Sequence, residues 1–256
     1  MGGSRASRPS GRIVVVGGGS AGEAFCAALR RLDRERPITV VESRLLGGEC
    51  SYWACMPSKV LLRAPELVAA ARLAPGAAEA VGGGLDVERL FWWRDQVVDG
   101  WDDTAHADWL AGLSVELEPG PGQVVAPGLV EVAGRRIAFE HLVVATGSSP
   151  SIPDIPGLDG VDFWTTAEAT AARGVPESLV VLGGGVAGCE LAQLFCRLGA
   201  RVTIVQRRRL LPRLDAQAAE ILQATFQTEG IELRLGASAE RVERTVEGVL
   251  VRLSDG

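Results

Sequence analysis

The most reactive chemistry in the chain lies between Gly47 and Lys59, where the run Gly-Gly-Glu-Cys-Ser-Tyr-Trp-Ala-Cys-Met-Pro-Ser-Lys holds two cysteines with four residues between them. Two readings of Cys50 and Cys55 are open: a redox pair, or two buried thiols filling core space as small hydrophobes. No metal site is expected, because two cysteines without a neighbouring histidine supply too few ligands for zinc. In an ideal helix, positions i and i+5 are offset by about 140° and rise about 7.5 Å. A disulfide needs its Cα atoms within roughly 4.4–6.8 Å, so a bonded pair requires an irregular backbone between them. Pro57 suits an early helical position, where its missing N–H would have no partner anyway. Val60, Leu61 and Leu62 continue the helix, which puts Cys55 near a helix N-terminus that lowers a thiol's pKa. Lys59, the only lysine among many arginines, would add to that effect with a compact ammonium.

The elements that must position this segment begin just after the N-terminus. Ile13 to Val16 is a short β-branched run suited to a buried parallel strand. It enters GGGSAG, in which Gly17, Gly19 and Gly22 supply G-x-G-x-x-G. A helix from Glu23 to Arg31 follows, then a strand from Ile38 to Val41 that ends at Glu42. The first glycine makes the tight turn, the second lets backbone approach a pyrophosphate, and the third allows close packing of strand on helix. The helix N-terminus then receives the anion. Glu42 stands 20 residues after Gly22, where a carboxylate accepts hydrogen bonds from a ribose.

The pattern recurs in the second half. Leu179 to Leu182 reads as a strand, GGGVAG provides Gly183, Gly185 and Gly188, a helix runs from Cys189 to Leu198, and Val202 to Val205 is the next strand. This second strand ends in Gln206, Arg207, Arg208 and Arg209 in place of an acid. Loss of the carboxylate removes the acceptor for a 2′-hydroxyl, and arginines favour a 2′-phosphate. NADP is therefore expected in preference to NAD; the bland alternative is a solvated arginine surface.

Between the two copies, Ala64 to Leu113 is helical in pattern, and Trp92, Trp93, Trp101 and Trp109 have the spacing of a packed helix face, read as core or subunit contact. Val115–Leu117, Val124–Val125 and Leu129–Val132 read as a small β-meander. A buried strand at Leu142–Ala145 runs into Thr146-Gly147-Ser148, and His141 before it is read as structural. The proline-rich SSPSIPDIPG that follows marks a domain boundary. The expected layout is a disordered leader at 1–11, a first nucleotide-binding domain at 12–150 and a second at 151–256. The fold class is α/β, with two Rossmann-like dinucleotide-binding domains and a small β-meander.

With 256 residues, 47% of them hydrophobic, the chain can bury a substantial core. A net charge of −6 gives no sign of a nucleic-acid surface, and no apolar run approaches the roughly 18 residues of a membrane span. Five cysteines, an odd number with no secretion signal, argue for a reducing cytoplasm. Cys26, Cys189 and Cys196 lie in apolar helical patterns and are read as core.

Two dinucleotide fingerprints, with C-x4-C-x-P-S-K shortly after the first, resemble the class I pyridine nucleotide-disulfide oxidoreductases, flavoproteins that include dihydrolipoamide dehydrogenase, glutathione reductase and mercuric reductase. The resemblance covers nearly the whole chain beyond the leader. It implies FAD in the first domain and NADP (or NAD) in the second. By that similarity Gly17, Gly19, Ser20, Ala21 and Gly22 would lie at the FAD pyrophosphate, and Glu42 and Ser43 at its adenosine ribose. Gly48, Glu49, Gly122, Ala145, Thr146 and Gly147 would also border FAD. Cys50 would be the interchange thiol that meets substrate, and Cys55 the charge-transfer thiol against the flavin. Lys59 would lie near flavin N5 and pair with Glu190. Gly183, Gly185, Val186, Ala187, Gly188, Gln206, Arg207 and Arg208 would hold the nicotinamide nucleotide. The implied reaction is hydride transfer from nicotinamide to flavin, electron transfer to a Cys50–Cys55 disulfide, then thiol exchange with a small-molecule or disulfide substrate.

The chain also departs from the family pattern. Ser51-Tyr52-Trp53-Ala54 replaces the usual loop between the cysteines, so potential and substrate do not carry over. Family chains continue past the equivalent of Gly256 with a Gly-Asp motif and an interface domain whose histidine and glutamate act on a partner subunit; His106 and His141 do not match them. The sequence is therefore read as the N-terminal portion of a longer enzyme, a homodimer when whole, with no nucleic-acid or membrane partner. Two other readings are a flavin-dependent reductase of a quinone, metal ion or oxygen without disulfide turnover, and a non-catalytic nucleotide-binding fragment.

Overall fold

The computed structural model describes residues 11–256, so most of the expected leader lies outside the described residues. In chain order the first elements are β1 (Ile13–Val16), α1 (Ser20–Leu32), β2 (Ile38–Glu42), α2 (Gly48–Tyr52), α3 (Cys55–Leu73), α4 (Val87–Val97) and α5 (Thr104–Gly112). Strands β3 (Glu116–Pro119), β4 (Gly122–Ala126), β5 (Leu129–Val132), β6 (Arg135–Ala138) and β7 (His141–Val144) follow. The remainder comprises α6 (Thr166–Thr170), β8 (Ser178–Leu182), α7 (Val186–Arg197), β9 (Arg201–Gln206), α8 (Ala216–Glu229), β10 (Glu232–Leu235), β11 (Ala239–Thr245) and β12 (Gly248–Leu253).

These elements form two compact units. The first holds the described residues up to Met56 together with Asp95–Ser149; the second holds Pro57–Arg94 and Pro150–Gly256. Residues 57–94 therefore group with the second half of the chain and not with 12–150. The reason is apolar: Leu61 of α3 and Leu90 and Phe91 of α4 are buried in one core with Cys189, Ala192, Leu194 and Phe195 of α7.

In the first unit a parallel sheet runs in the order β3-β2-β1-β7. Its central strand is buried on both faces, which is why it is a continuous β-branched run without alternation. One face carries Ile13, Val15 and Val40 against Cys26 of α1 and Leu110 of α5. The other carries Val14 and Val41 against Val130, Val132 and Ile137 of the antiparallel β4-β5-β6 meander. Burying each such aliphatic side chain is worth roughly 1.5–3 kcal/mol. The segment around Val115–Leu117, expected in the meander, instead supplies β3, which pairs in parallel with β2 through Val40↔Leu117. Its short alternating pattern did not distinguish the edge of the main sheet from a separate hairpin.

The second unit repeats the plan. Strands β10-β9-β8 form a parallel sheet, and β11 and β12 pair as an antiparallel hairpin. A buried arginine closes one corner: Arg94 donates to the carbonyls of Thr170 at 2.5 Å and Ala172 at 2.9 Å, satisfying the C-terminal end of α6.

Candidate functional site

In the first unit the predicted nucleotide residues converge at the carboxyl ends of the parallel strands. Gly17, the first residue after β1, donates to the Val41 carbonyl at 2.8 Å. Its φ of 106° and the Ala145 carbonyl, which a side chain would overlap, both require glycine there. A side chain at Gly22 would run into the Gly17 carbonyl, so this glycine sets how closely α1 seats on the turn. Gly19 is the N-cap of α1 and offers no side-chain cap. A Cβ there would meet only the Gly48 Cα, at 3.6 Å. Helix α1 thus starts beside bare backbone, with Ser20 and Ala21 exposed and Gly22 buried, an N-terminus of the kind that suits an anionic diphosphate.

Glu42 ends β2 with its carboxylate already organised. One oxygen accepts from the Gly18 N–H at 2.7 Å and the other from the Arg44 N–H at 2.8 Å. A carboxylate offers about four lone-pair sites, which leaves room for a ribose hydroxyl; Ser43 beside it is exposed. Gly122 packs over the same strand end, where a Cβ would lie 2.9 Å from Val41 Cγ1. Ala145, bonded to the Val16 carbonyl at 2.8 Å, brings Thr146 and Gly147 alongside.

The cysteine segment is tied to this turn by its glycines. Gly47 has φ 90° and donates to the Gly18 carbonyl at 2.8 Å, forming a parallel bridge with Gly19. Gly48, at φ 63°, comes so close to Gly19 that a Cβ would sit 2.8 Å from its Cα. Helix α2 starts there and carries Glu49 and Cys50, then stops at Trp53. Both Trp53 and Ala54 donate to the Glu49 carbonyl, and α3 begins afresh at Cys55. The backbone between the cysteines is thus broken between two helices. All five cysteines are thiols. Cys50 and Cys55 are part-exposed, whereas Cys26 and Cys189 are buried, and burial pushes each of those two thiols up to about 11.

In the second unit the fingerprint has the same geometry. Gly183 donates to the Val205 carbonyl at 2.9 Å, and a side chain at Gly188 would overlap the Gly183 carbonyl. Gly185 is the uncapped N-cap of α7, with nothing within 4 Å of a Cβ position. Val186 and Ala187 are exposed in the first turn of α7. Leu211 donates to the Gly184 carbonyl at 2.8 Å, as Gly47 does to Gly18. A Cβ at Gly184 would lie 2.6 Å from Leu210 Cδ2, as one at Gly18 would lie 2.5 Å from Leu46 Cδ2. By this superposition of roles Gln206 stands where Glu42 does, and Arg207 and Arg208 stand where Ser43 and Arg44 do. Arg207 and Arg208 are exposed, while Arg209 is turned onto the carbonyls of Leu211, Pro212, Leu214 and Asp215. Lys59 on α3 and Glu190 on α7 are exposed, and their helices share one core through Leu61 and Cys189.

Several residues of the site were not singled out from sequence. Gly18 and Gly184 fill the variable position of each fingerprint, and the triple glycine was the available signal. Gly47 supplies the left-handed strap ahead of the cysteines. His106 and Trp101 pack onto the same segment at Tyr52, a contact that the helix-face spacing of Trp101 did not indicate. Of the core and subunit-contact readings of the tryptophans, core is corrected for Trp92, Trp93 and Trp109, which are exposed.

Two uncapped glycine turns, each between a parallel strand and a helix, define a protein of two dinucleotide-binding folds. The family model for pyridine nucleotide-disulphide oxidoreductases matches residues 11–256, and the chain belongs to that family. It is 32% identical over 237 residues to a mercuric reductase of Lysinibacillus sphaericus, covering 92% of this chain and 43% of the relative. It is 34% identical over 250 residues to a mercuric reductase of Streptomyces lividans, covering 94% and 52%. Among solved structures, LpdA from Mycobacterium tuberculosis matches with TM-score 0.80 and 27% identity over 96% of this chain and 55% of that one. The HOCl-induced flavoprotein disulfide reductase RclA from Escherichia coli has the same fold, with TM-score 0.82 and 23% identity over 96% and 53%. The chain spans about half the length of these proteins.

Proposed function

We propose that this chain is the nucleotide-binding portion of an FAD-dependent NAD(P)H:disulfide oxidoreductase in which Cys50 and Cys55 form the redox couple. The observation that carries this reading is the Gly47–Gly48 strap on Gly18–Gly19, which fixes the cysteine helix at the mouth of the first glycine turn. When bound, FAD would supply the two-electron carrier between a nicotinamide and the thiol pair. The N-terminal amides of α1 hold its diphosphate, Glu42 takes a ribose hydroxyl, and Ser43, Glu49, Gly122 and Ala145–Gly147 wall the cradle. As a disulfide, Cys50 and Cys55 accept two electrons and two protons to become two thiols; Cys50 then exchanges with substrate, and Cys55 stays on the flavin side.

Val186, Ala187 and the α7 amides hold the second nucleotide, and Arg207 and Arg208 select NADP by pairing with its 2′-phosphate. Lys59 and Glu190, both exposed in the second unit, would pair with each other. The whole protein works as a homodimer in a reducing cytoplasm. The mercuric reductases among its relatives make Hg(II), a thiophilic ion, the first acceptor to try.

Nucleotide affinity of the chain, followed by quenching of tryptophan fluorescence, tests the second site. NADPH binds at least tenfold tighter than NADH, and Arg207→Ser/Arg208→Ser removes the difference. Equal affinities in the unaltered chain contradict the NADP assignment.

A further inference from the structure

The cysteine helix is held from behind by one short stretch of the first unit, residues 99–106. The backbone there is unusual, since Asp99, Gly100 and Trp101 lie at φ 50°, 60° and 62°, and two of the three are not glycine. Left-handed conformations cost an L-residue about 1–2 kcal/mol each, so the neighbouring contacts must hold them. Trp101 is aimed by this turn to donate its indole Nε1–H to the Tyr52 carbonyl at 3.2 Å, at the C-terminal end of α2. The buried Tyr52 returns its hydroxyl to the Asp102 carbonyl at 3.0 Å. Asp103 accepts from the Leu46 N–H at 2.8 Å, just ahead of the strap.

His106 completes the grip. Its Nδ1 lies 2.6 Å from a Glu23 carboxylate oxygen on the first turn of α1. The opposite edge of its ring lies against Gly47, 2.7 Å from where a Cβ would be. The same ring meets Tyr52 at 5.9 Å between centroids. Both ends of the five-residue helix carrying Cys50 are therefore fixed by side chains of 99–106, and Glu23 links that grip to the helix of the nucleotide cradle.

We propose that Trp101 and His106 are positioning residues for the Cys50 thiol, holding α2 at the reach from Cys55 that favours a disulfide. This rests on the thiol-couple reading above. Neither residue touches the sulfurs; each acts by limiting how far α2 can drift, which raises the effective concentration of one thiol at the other. Disulfide formation removes two electrons and two protons from the pair. In the test these go to oxidised glutathione, which is cleaved to two glutathione thiols.

The test is the equilibrium constant for Cys50–Cys55 disulfide formation in the 256-residue chain. The chain is equilibrated in glutathione buffers, quenched by alkylation and read by mass spectrometry. Trp101→Phe keeps an aromatic ring but removes the N–H together with part of the indole, and His106→Ala removes the contacts to Glu23 and Gly47. Each lowers the constant at least threefold, and together they lower it at least tenfold, a rise in potential of about 30 mV. His106→Gln, which keeps an amide beside Gly47, stays within twofold of the unaltered chain, as does His141→Ala on β7. If the double variant does not fold, Trp101→Phe alone decides. A constant unchanged or raised in Trp101→Phe and His106→Ala overturns the positioning role while leaving the couple intact. Absence of any Cys50–Cys55 disulfide in the unaltered chain overturns both.

Discussion

Glu42 offers a direct measure of how the first glycine turn is held. Its two carboxylate oxygens accept from separate backbone N–H groups, Gly18 at 2.7 Å and Arg44 at 2.8 Å. Hydrogen bonds to a charged group contribute about 1.5–3 kcal/mol each, and the residue is only half-buried, so the lower end applies. Glu42→Ala should then destabilise the turn by about 2–3 kcal/mol. Glu42→Gln keeps one acceptor and should cost about 1–2 kcal/mol. The second copy provides the contrast: Gln206 uses its amide as a donor to the Arg209 carbonyl at 3.4 Å, so Gln206→Ala should cost little. A chain of two units need not unfold in one step, so the assay is native-state hydrogen exchange over residues 13–46 and 178–211. An opening free energy for 13–46 that changes by less than about 0.5 kcal/mol in Glu42→Ala would refute the reasoning, given the magnitudes above.

Three other outcomes follow from contacts in the same structure. Gly188→Ala forces a methyl into the Gly183 carbonyl and should unseat α7, whereas Gly185→Ala points into open space and should fold normally while weakening nucleotide binding; circular dichroism and NADPH affinity separate the two. Arg94→Met leaves the Thr170 and Ala172 carbonyls without their donor, at about 1–3 kcal/mol for each buried group; exchange protection in α6 should fall, and unchanged protection would count against the corner as described. Alkylation of the reduced chain at pH 8 should label Cys50 while sparing Cys26 and Cys189, whose thiols are held protonated by burial up to about pH 11; equal labelling would contradict that burial.

The parts of the fold visible in sequence are those fixed by local sterics. Gly17 and Gly22 announce themselves because the turn has no room for a side chain at either position, and the repeated strand–glycine–helix pattern follows from that. A break between Cys50 and Cys55 was expected only for a bonded pair, and it is present with both residues as thiols. What escaped depends on long-range packing. Residues 57–94 join the second unit because Leu61, Leu90 and Phe91 find α7, a choice that chain order conceals. Trp92, Trp93 and Trp109 keep helical spacing but are exposed, since periodicity identifies a face and not what covers it. His106 and Trp101 lie about fifty residues from the cysteine helix they hold and carry no motif.

The account turns on a thiol couple set beside the first glycine turn, and its absorption spectrum with FAD bound tests that most directly. Anaerobic addition of FAD to the dithiol chain should produce a long-wavelength band from a thiolate against the flavin, retained in Cys50→Ser and lost in Cys55→Ser. Flavin that binds without the band in the unaltered chain, or a band that survives Cys55→Ser, would contradict it.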